Sequence, residues 1–360
     1  MFGQRLRLAR KKAGLSMQAL ADCMSPKVSA QAISKYEAGK MMPSSAVLVG
    51  LGKALGVSLD FLMGGQVETL RGIEFRKHPA TSARDRARAE VVVIERLEDY
   101  LAIEAILELT PPGDPFGDLV CDDVACFEAI DVVAGKLRQQ WQLGIDPILG
   151  MVLVLEDKGI KVIEADLPER FDGLACGVQR RDGRPDTEVV VVSGRTTIER
   201  KRFTLAHELA HRVIRATGNP DIGLEQAMNR FAGALLVPTE HLIDEAGARR
   251  CGMTYHEIMR LKRLYGVSAA ALLKRLGEVG ILAQAVIERA FKSYARAWRT
   301  EEPEPIRDGE GFGTFERPQR FERLVWRALG EALISPVRAA QFLRLPLAEV
   351  EREIRGPHSR

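Results

Sequence analysis

The amino-acid sequence predicts a mainly α protein with a small β-sheet, an α+β chain of more than one domain. Three observations carry that expectation. A length of 360 residues is enough for two or three separately buried cores. Most apolar residues recur at three- and four-residue spacing, the period of a helix with one buried face, and only a few short β-branched runs interrupt it. The charge is uneven. Residues 1–65 carry nine Lys or Arg against three Asp or Glu, a net of +6, whereas the whole chain is +3, which leaves −3 for the remainder. A basic segment on a mildly acidic body is the footprint of something that meets phosphate.

The basic segment resolves into five short helices. Residues 6–14 read as a helix closed by Gly14. Ser16 is placed to cap a second, from Met17 to Cys23, and residues 29–39 form a third that ends at its glycine. Pro43 and Ser44 open a fourth with Val47, Leu48, Leu51 and Leu55 facing inward, and residues 55–62 close a fifth. Five helices with Ile33 buried in the third match the repressor-type helix-turn-helix bundle. On that bundle Gln31, Ser34 and Lys35 project from the recognition helix, where Gln suits adenine and Lys suits guanine. Ser29, Lys27 and Lys40 suit phosphate, which positions without specifying. The expected partner is double-stranded promoter DNA; a protein-binding module of the same fold is the alternative. Residues 1–64 resemble the XRE (Cro/phage-repressor) family, with two departures. Met17 stands where many members carry a phosphate-contacting Gln, and the turn before the third helix is about two residues longer than usual.

The other strong signal is Phe-Thr-Leu-Ala-His-Glu-Leu-Ala-His at residues 203–211. Residues four apart share one helix face, so His207 and His211 can aim both imidazoles at one zinc ion. Glu208, beside the first of them, is placed as the general base for a water activated there. Leu205, Leu209, Val213 and Ile214 predict a buried stripe with the histidines on its border. The longer metzincin pattern is excluded, because Ile214 and Thr217 stand where it needs Gly and His. The next helix, with Leu224, Met228, Phe231 and Leu235 on one face and Pro238 at its end, offers Glu225 as third ligand, with Glu240 as the alternative.

The stretches "RFTLAHELAHRVI" and "EQAMNRFAGALLVP" resemble the ImmA/IrrE family of zinc-dependent endopeptidases, and "FDGLACG" and "TEVVVVSG" keep the family's order. The resemblance spans roughly residues 120–300 and implies a zincin-like HExxH peptidase domain. It implies His207, His211 and Glu225 as ligands of one Zn2+ per chain and Glu208 as base. It further implies a helix-turn-helix repressor or an antitoxin as substrate, cleaved to release stress, mobile-element or toxin–antitoxin genes. Proteolysis is expected because Glu208 is intact; the alternative is a DNA-binding regulator whose zinc site is a sensor or relic.

The rest of the chain reads as follows. Residues 66–88 are polar and read as a linker, and residues 89–109 as a long apolar-rich helix that either docks on the peptidase or pairs with a second copy in a homodimer. The Pro-rich break at residues 110–115 marks the next boundary. A helix over 124–141 and strands at 151–155, 161–165 and 188–192 follow, a small sheet whose exposed edge would hold an extended peptide. Helices are expected at 240–248, 255–265 and 268–277; His241 and His256 are candidates for oxyanion helpers, with plain surface or capping groups as the alternative. Residues 301–317 read as a loop, and 321–333, 336–343 and 347–354 as a helical appendage. The domains expected are thus 1–65 (DNA-binding), 66–117 (linker and connector helix), 118–300 (peptidase) and 301–360 (helical extension). No apolar run reaches the 18 or so residues that span a bilayer and no signal-peptide core is present, so the expectation is a cytoplasmic protein without membrane contact. Five scattered cysteines without Cys-x-x-Cys spacing read as reduced thiols.

Overall fold

The computed structural model describes residues 2–71, 82–110, 113–121, 123–165, 173–180, 187–298 and 300–356. The basic head is five helices, α1 (Phe2–Ala13), α2 (Met17–Cys23), α3 (Ala30–Glu37), α4 (Ser45–Leu55) and α5 (Leu59–Met63). Serine capping sets four of the starts: the hydroxyls of Ser16, Ser29, Ser44 and Ser58 each accept from the amide of the third residue on, a first-turn N–H with no carbonyl partner inside the helix. Gly14, at φ +71°, ends α1 in the left-handed region. Leu6, Leu20, Ile33, Leu51 and Leu62 are fully buried at the centre. Arg10 ties α1 to α3 through a two-pronged pair with Glu37, at 2.5 and 2.9 Å.

The segment expected to be a polar linker contains an edge strand, β1 (Val67–Arg71), followed after residues outside the described set by α6 (Ala83–Ile106). β1 joins β2 (Lys161–Ala165), β3 (Gly173–Arg180) and β4 (Thr187–Ser193) in one sheet of order β1-β3-β4-β2. β3 runs antiparallel to both neighbours, and β2 runs parallel to β4. In β4, Val190 and Val192 face one way and Val189 and Val191 the other, and all four are buried, as a strand covered on both faces requires. α6 covers one face, packing Val93, Leu97 and Leu101 on Leu174, Cys176, Val189 and Val191. Helix α9 (Ile198–Val213) covers the other, with Leu205 and Leu209 in the same core as Ala175, Val190 and Val192.

Residues 151–155, expected as a strand, form instead the helix α8 (Met151–Asp157), which follows α7 (Phe127–Gln140). Burial shows why. Met151, Val152, Leu155 and Glu156 are buried while Leu153 and Val154 are not, a spacing of one, four and five that only a helix gives. The α8 amides of Met151 and Val152 donate to the Glu316 carboxylate at 2.8 and 3.1 Å, and Arg202 pairs with the same fully buried side chain. Residues 301–317 are therefore more than a loop over the surface: they include a 3-10 turn at Gly311–Phe315 and bring Glu316 into the core.

α10 (Leu224–Leu236), α11 (Thr239–Ala246), α12 (Tyr255–Tyr265), α13 (Ala269–Glu278) and α14 (Gln284–Lys292) complete the central body. α15 (Arg320–Gly330), α16 (Pro336–Leu343) and α17 (Leu347–Arg355) form the appendage, whose Val325, Ala328 and Phe342 pack on Tyr100, Ile103 and Leu107 of α6. α6 thus docks rather than standing free, and it also inserts Val91 and Ile94 into the core of the head. Among the described residues, no helix is long and apolar enough to cross a membrane.

Candidate metal centre and nucleic-acid interface

α9 begins behind Thr197, whose hydroxyl accepts from the Arg200 amide at 3.3 Å, and it buries Leu205, Leu209 and Val213. His207 and His211 lie one turn apart on the half-exposed border of that stripe, with ring centres 5.0 Å apart and planes at 79°. α10 is clamped to α7 by Asp131, which accepts two hydrogen bonds from Arg230, at 2.7 and 2.8 Å, and one from Arg275 of α13 at 2.9 Å. The clamp fixes the rotation of α10. Glu225 and Asn229, one turn apart, therefore face the histidine pair.

The donor atoms converge closely. His207 Nε2 is 3.3 Å from Glu225 Oε2 and 3.3 Å from His211 Nε2, and one donor atom of each residue lies within 4.8 Å of the others. Bonds of about 2.0–2.1 Å to a tetrahedral zinc ion separate neighbouring donors by about 3.3 Å, so the set fits that ion. His207 Nδ1 lies 3.0 Å from Asn229 Oδ1. A carboxamide oxygen only accepts, so the proton sits on Nδ1 and the Nε2 lone pair is turned to the centre. The side chain of Asn229 was not singled out in the sequence, although its place four residues after Glu225 puts it on the same helix face. Glu240, the alternative ligand, is exposed on α11 and is not in this cluster.

Glu208 is half-buried beside His207. β3 begins directly over it: a Cβ added at Gly173 would stand 2.6 Å from Thr204 Cγ2 and 3.7 Å from Glu208 Cγ. Only glycine lets the strand lie this close to the helix. Phe171 and Asp172 of the same motif fall outside the described residues. His241 and His256 are not in the cluster either. His241 Nδ1 is 2.8 Å from the Tyr265 hydroxyl, whose acidity burial suppresses, so the two are hydrogen-bonded to each other. His256 is exposed on α12. Cys176 lies buried under α6, and burial pushes its thiol up to about 12, so it carries no thiolate at neutral pH.

On the head, all six side chains expected to meet DNA are exposed: Gln31, Ser34 and Lys35 on α3, with Ser29, Lys27 and Lys40 flanking it. Ile33 and Tyr36 of the same helix are buried and fix its rotation. Lys27 donates to the Asp22 carbonyl at 2.7 Å, which holds it beside the turn into α3. The Ser29 oxygen accepts from the Ala32 amide at 3.1 Å, leaving its own hydrogen available.

Comparison with known proteins agrees with both halves. Residues 6–62 match the model of the helix-turn-helix family, and residues 155–277 match that of the IrrE N-terminal-like domain, a peptidase family. The chain is 43% identical over 65 residues to the SPbeta prophage-derived HTH-type transcriptional regulator YonR of Bacillus subtilis, a match covering 18% of this chain and 58% of YonR. It is 36% identical over 116 residues to the radiation response metalloprotease IrrE of Deinococcus deserti, covering 28% of this chain and 40% of IrrE. In each case the chain spans less than two thirds of the relative it matches. A helix-turn-helix segment and an IrrE-like metalloprotease segment are thus joined in one chain.

Proposed function

We propose that the chain is a DNA-binding regulator whose central body is a zinc-dependent endopeptidase, and that its substrate is a helix-turn-helix repressor or an antitoxin. The observation that carries this reading is the convergence of His207, His211 and Glu225, with His207 3.3 Å from each of the other two, and Glu208 beside them. His207, His211 and Glu225 would hold the ion, which when bound supplies a Lewis acid able to activate water near neutral pH. Glu208, adjacent to the first ligand and not itself in the cluster, takes the proton of the attacking water and returns it to the leaving amine. Asn229 holds His207 in the productive tautomer. The first residues of β3, 173–176, lie over Glu208 and have no strand partner among the described residues on the side away from β4, which leaves their backbone groups to offer to an extended peptide.

The head gives the reaction its address. Bound at a promoter through α3, it raises the local concentration of the peptidase around any repressor on the same DNA, so little intrinsic affinity for substrate is needed. Incubating the purified chain with helix-turn-helix repressors and antitoxins, with and without promoter DNA, tests the proposal. Zinc-dependent cleavage that Glu208→Gln abolishes without loss of metal is the expected result. Wild-type derepression by Glu208→Gln in cells would overturn it and favour a sensory zinc site.

A further inference from the structure

A groove of about 1040 Å³ opens beside the proposed metal centre and shares Asn229 with it. Its near wall is Gln226 and Asn229 of α10 and Phe203 of α9, one turn before His207; its far wall is α13 and α14. Half-buried rings of Phe127, Phe203 and Phe291 and the buried side chain of Ile287 give it an apolar floor. Four basic residues and two acidic ones line it. Two of the bases are already neutralised: Arg230 is held by Asp131, and Lys274 lies 3.7 Å from Glu278. Lys292 and Arg296 are exposed at the rim and form no ion pair among the described residues, against Glu288 as the remaining acid. The positive surplus belongs to the far wall, at the end of α14 and just after it.

We infer that this groove selects the substrate, accepting a peptide with a bulky apolar residue next to the cleaved bond and acidic residues just beyond it. The inference rests on the peptidase reading for its bond cleavage but not for its binding chemistry. The apolar floor begins at Phe203 and Asn229, so the side chain nearest the donor cluster is the one desolvated. The following residues run toward Lys292 and Arg296, where a carboxylate is attracted and an ammonium repelled.

The test uses two fluorescent peptides that differ only in having Glu-Glu or Lys-Lys after a central Leu, titrated by anisotropy against the full zinc-loaded chain carrying Glu208→Gln. The acidic peptide should bind more tightly by about fivefold per charge pair at low salt, and the preference should shrink at high salt. Lys292→Glu with Arg296→Glu, both exposed and remote from the ligands, should reverse the preference while zinc content stays unchanged. Equal binding of the two peptides, no binding of either, or a preference untouched by the double reversal would each overturn the inference. If the preference holds but the wild-type chain cuts neither these peptides nor any repressor or antitoxin on promoter DNA, the groove stands as a binding site and the peptidase reading falls.

Discussion

Arg5 of α1 and Glu98 of α6 form an ion pair at 2.7 Å, and between them they hold the start of β1. Arg5 also donates to the Val67 carbonyl at 2.7 Å and the Phe61 carbonyl at 3.2 Å, while Glu98 accepts from the amides of Gln66 and Val67 at 2.6 and 3.1 Å. Arg5 is 5% exposed and Glu98 15%, so neither charge has much water to fall back on. Removing either side chain leaves the other buried without its partner. Arg5→Ala or Glu98→Ala should each lower the stability of the full chain by about 3 kcal/mol, read by chemical denaturation. A double variant should cost clearly less than the sum of the two, and strict additivity would show that the pair is not coupled.

Metal content is the direct check on the donor cluster. The parent chain should hold one zinc, which His207→Ala, His211→Ala and Glu225→Ala should each lose and Glu208→Gln should keep. Asn229→Ala should weaken zinc binding by about tenfold to a hundredfold, because it frees the His207 tautomer without removing a ligand. A chelator titration separates the three classes. Equal zinc content in parent and Glu225→Ala would remove Glu225 from the set.

For the head, sequence preference and salt dependence separate two kinds of contact. Gln31→Ala and Lys35→Ala should change which promoter sequences are preferred. Lys27→Ala and Lys40→Ala should weaken all sequences alike and reduce the salt slope of binding by about one unit each. Uniform loss for all four would mean that α3 does not enter the major groove.

Acidity offers a further test, at the contact between α6 and the appendage. Burial lifts the Asp99 carboxyl to about 6, against the opposing pull of Arg344, Arg96 and Arg338. A carboxyl whose folded value lies above its unfolded one binds more protons when folded, so its contribution is present below about pH 4 and is lost as pH rises through 6. Asp99→Asn should therefore gain stability relative to the parent on going from pH 4 to pH 7, by about 1 kcal/mol once partial exposure is allowed for. A parallel pair of stability curves over that range would contradict the assignment.

Much of this was legible in the sequence because it is local. Caps such as Ser16, Ser29 and Ser335 and breakers such as Gly14 act within a turn of where they stand, and the His207–His211 spacing is a property of one helix. Glu225 was reachable from its place on the following helix. What escaped depends on partners far along the chain. β1 reads as polar because it is a short edge strand, and its partner β3 lies more than a hundred residues away, at Val67 opposite Arg180. Residues 151–155 contain Val and Leu in the proportions of a strand. They turn helical because Glu316, distant in sequence, satisfies the first amides and because a helix is what puts Met151, Val152 and Leu155 together on the buried face. Glu316 itself sits in a stretch whose composition predicts only a loop, and nothing local marks its side chain as buried.

α6 belongs to three cores at once: Val91 and Ile94 to the head, Val93, Leu97 and Leu101 to the sheet, and Tyr100, Ile103 and Leu107 to the appendage. A chain strung together by flexible tethers would melt in separate steps, each module with its own transition. Here none of the three can come apart without stripping one face of the same helix, so the expected calorimetric trace is a single cooperative peak. Trimming the chain after residue 65 would leave Val91 and Ile94 bare on the part that remains and take two core side chains from the part removed, inviting aggregation of both. The proposed DNA reading and cleavage are therefore to be uncoupled by single substitutions on α3 or α9, where the shared scaffold is left whole.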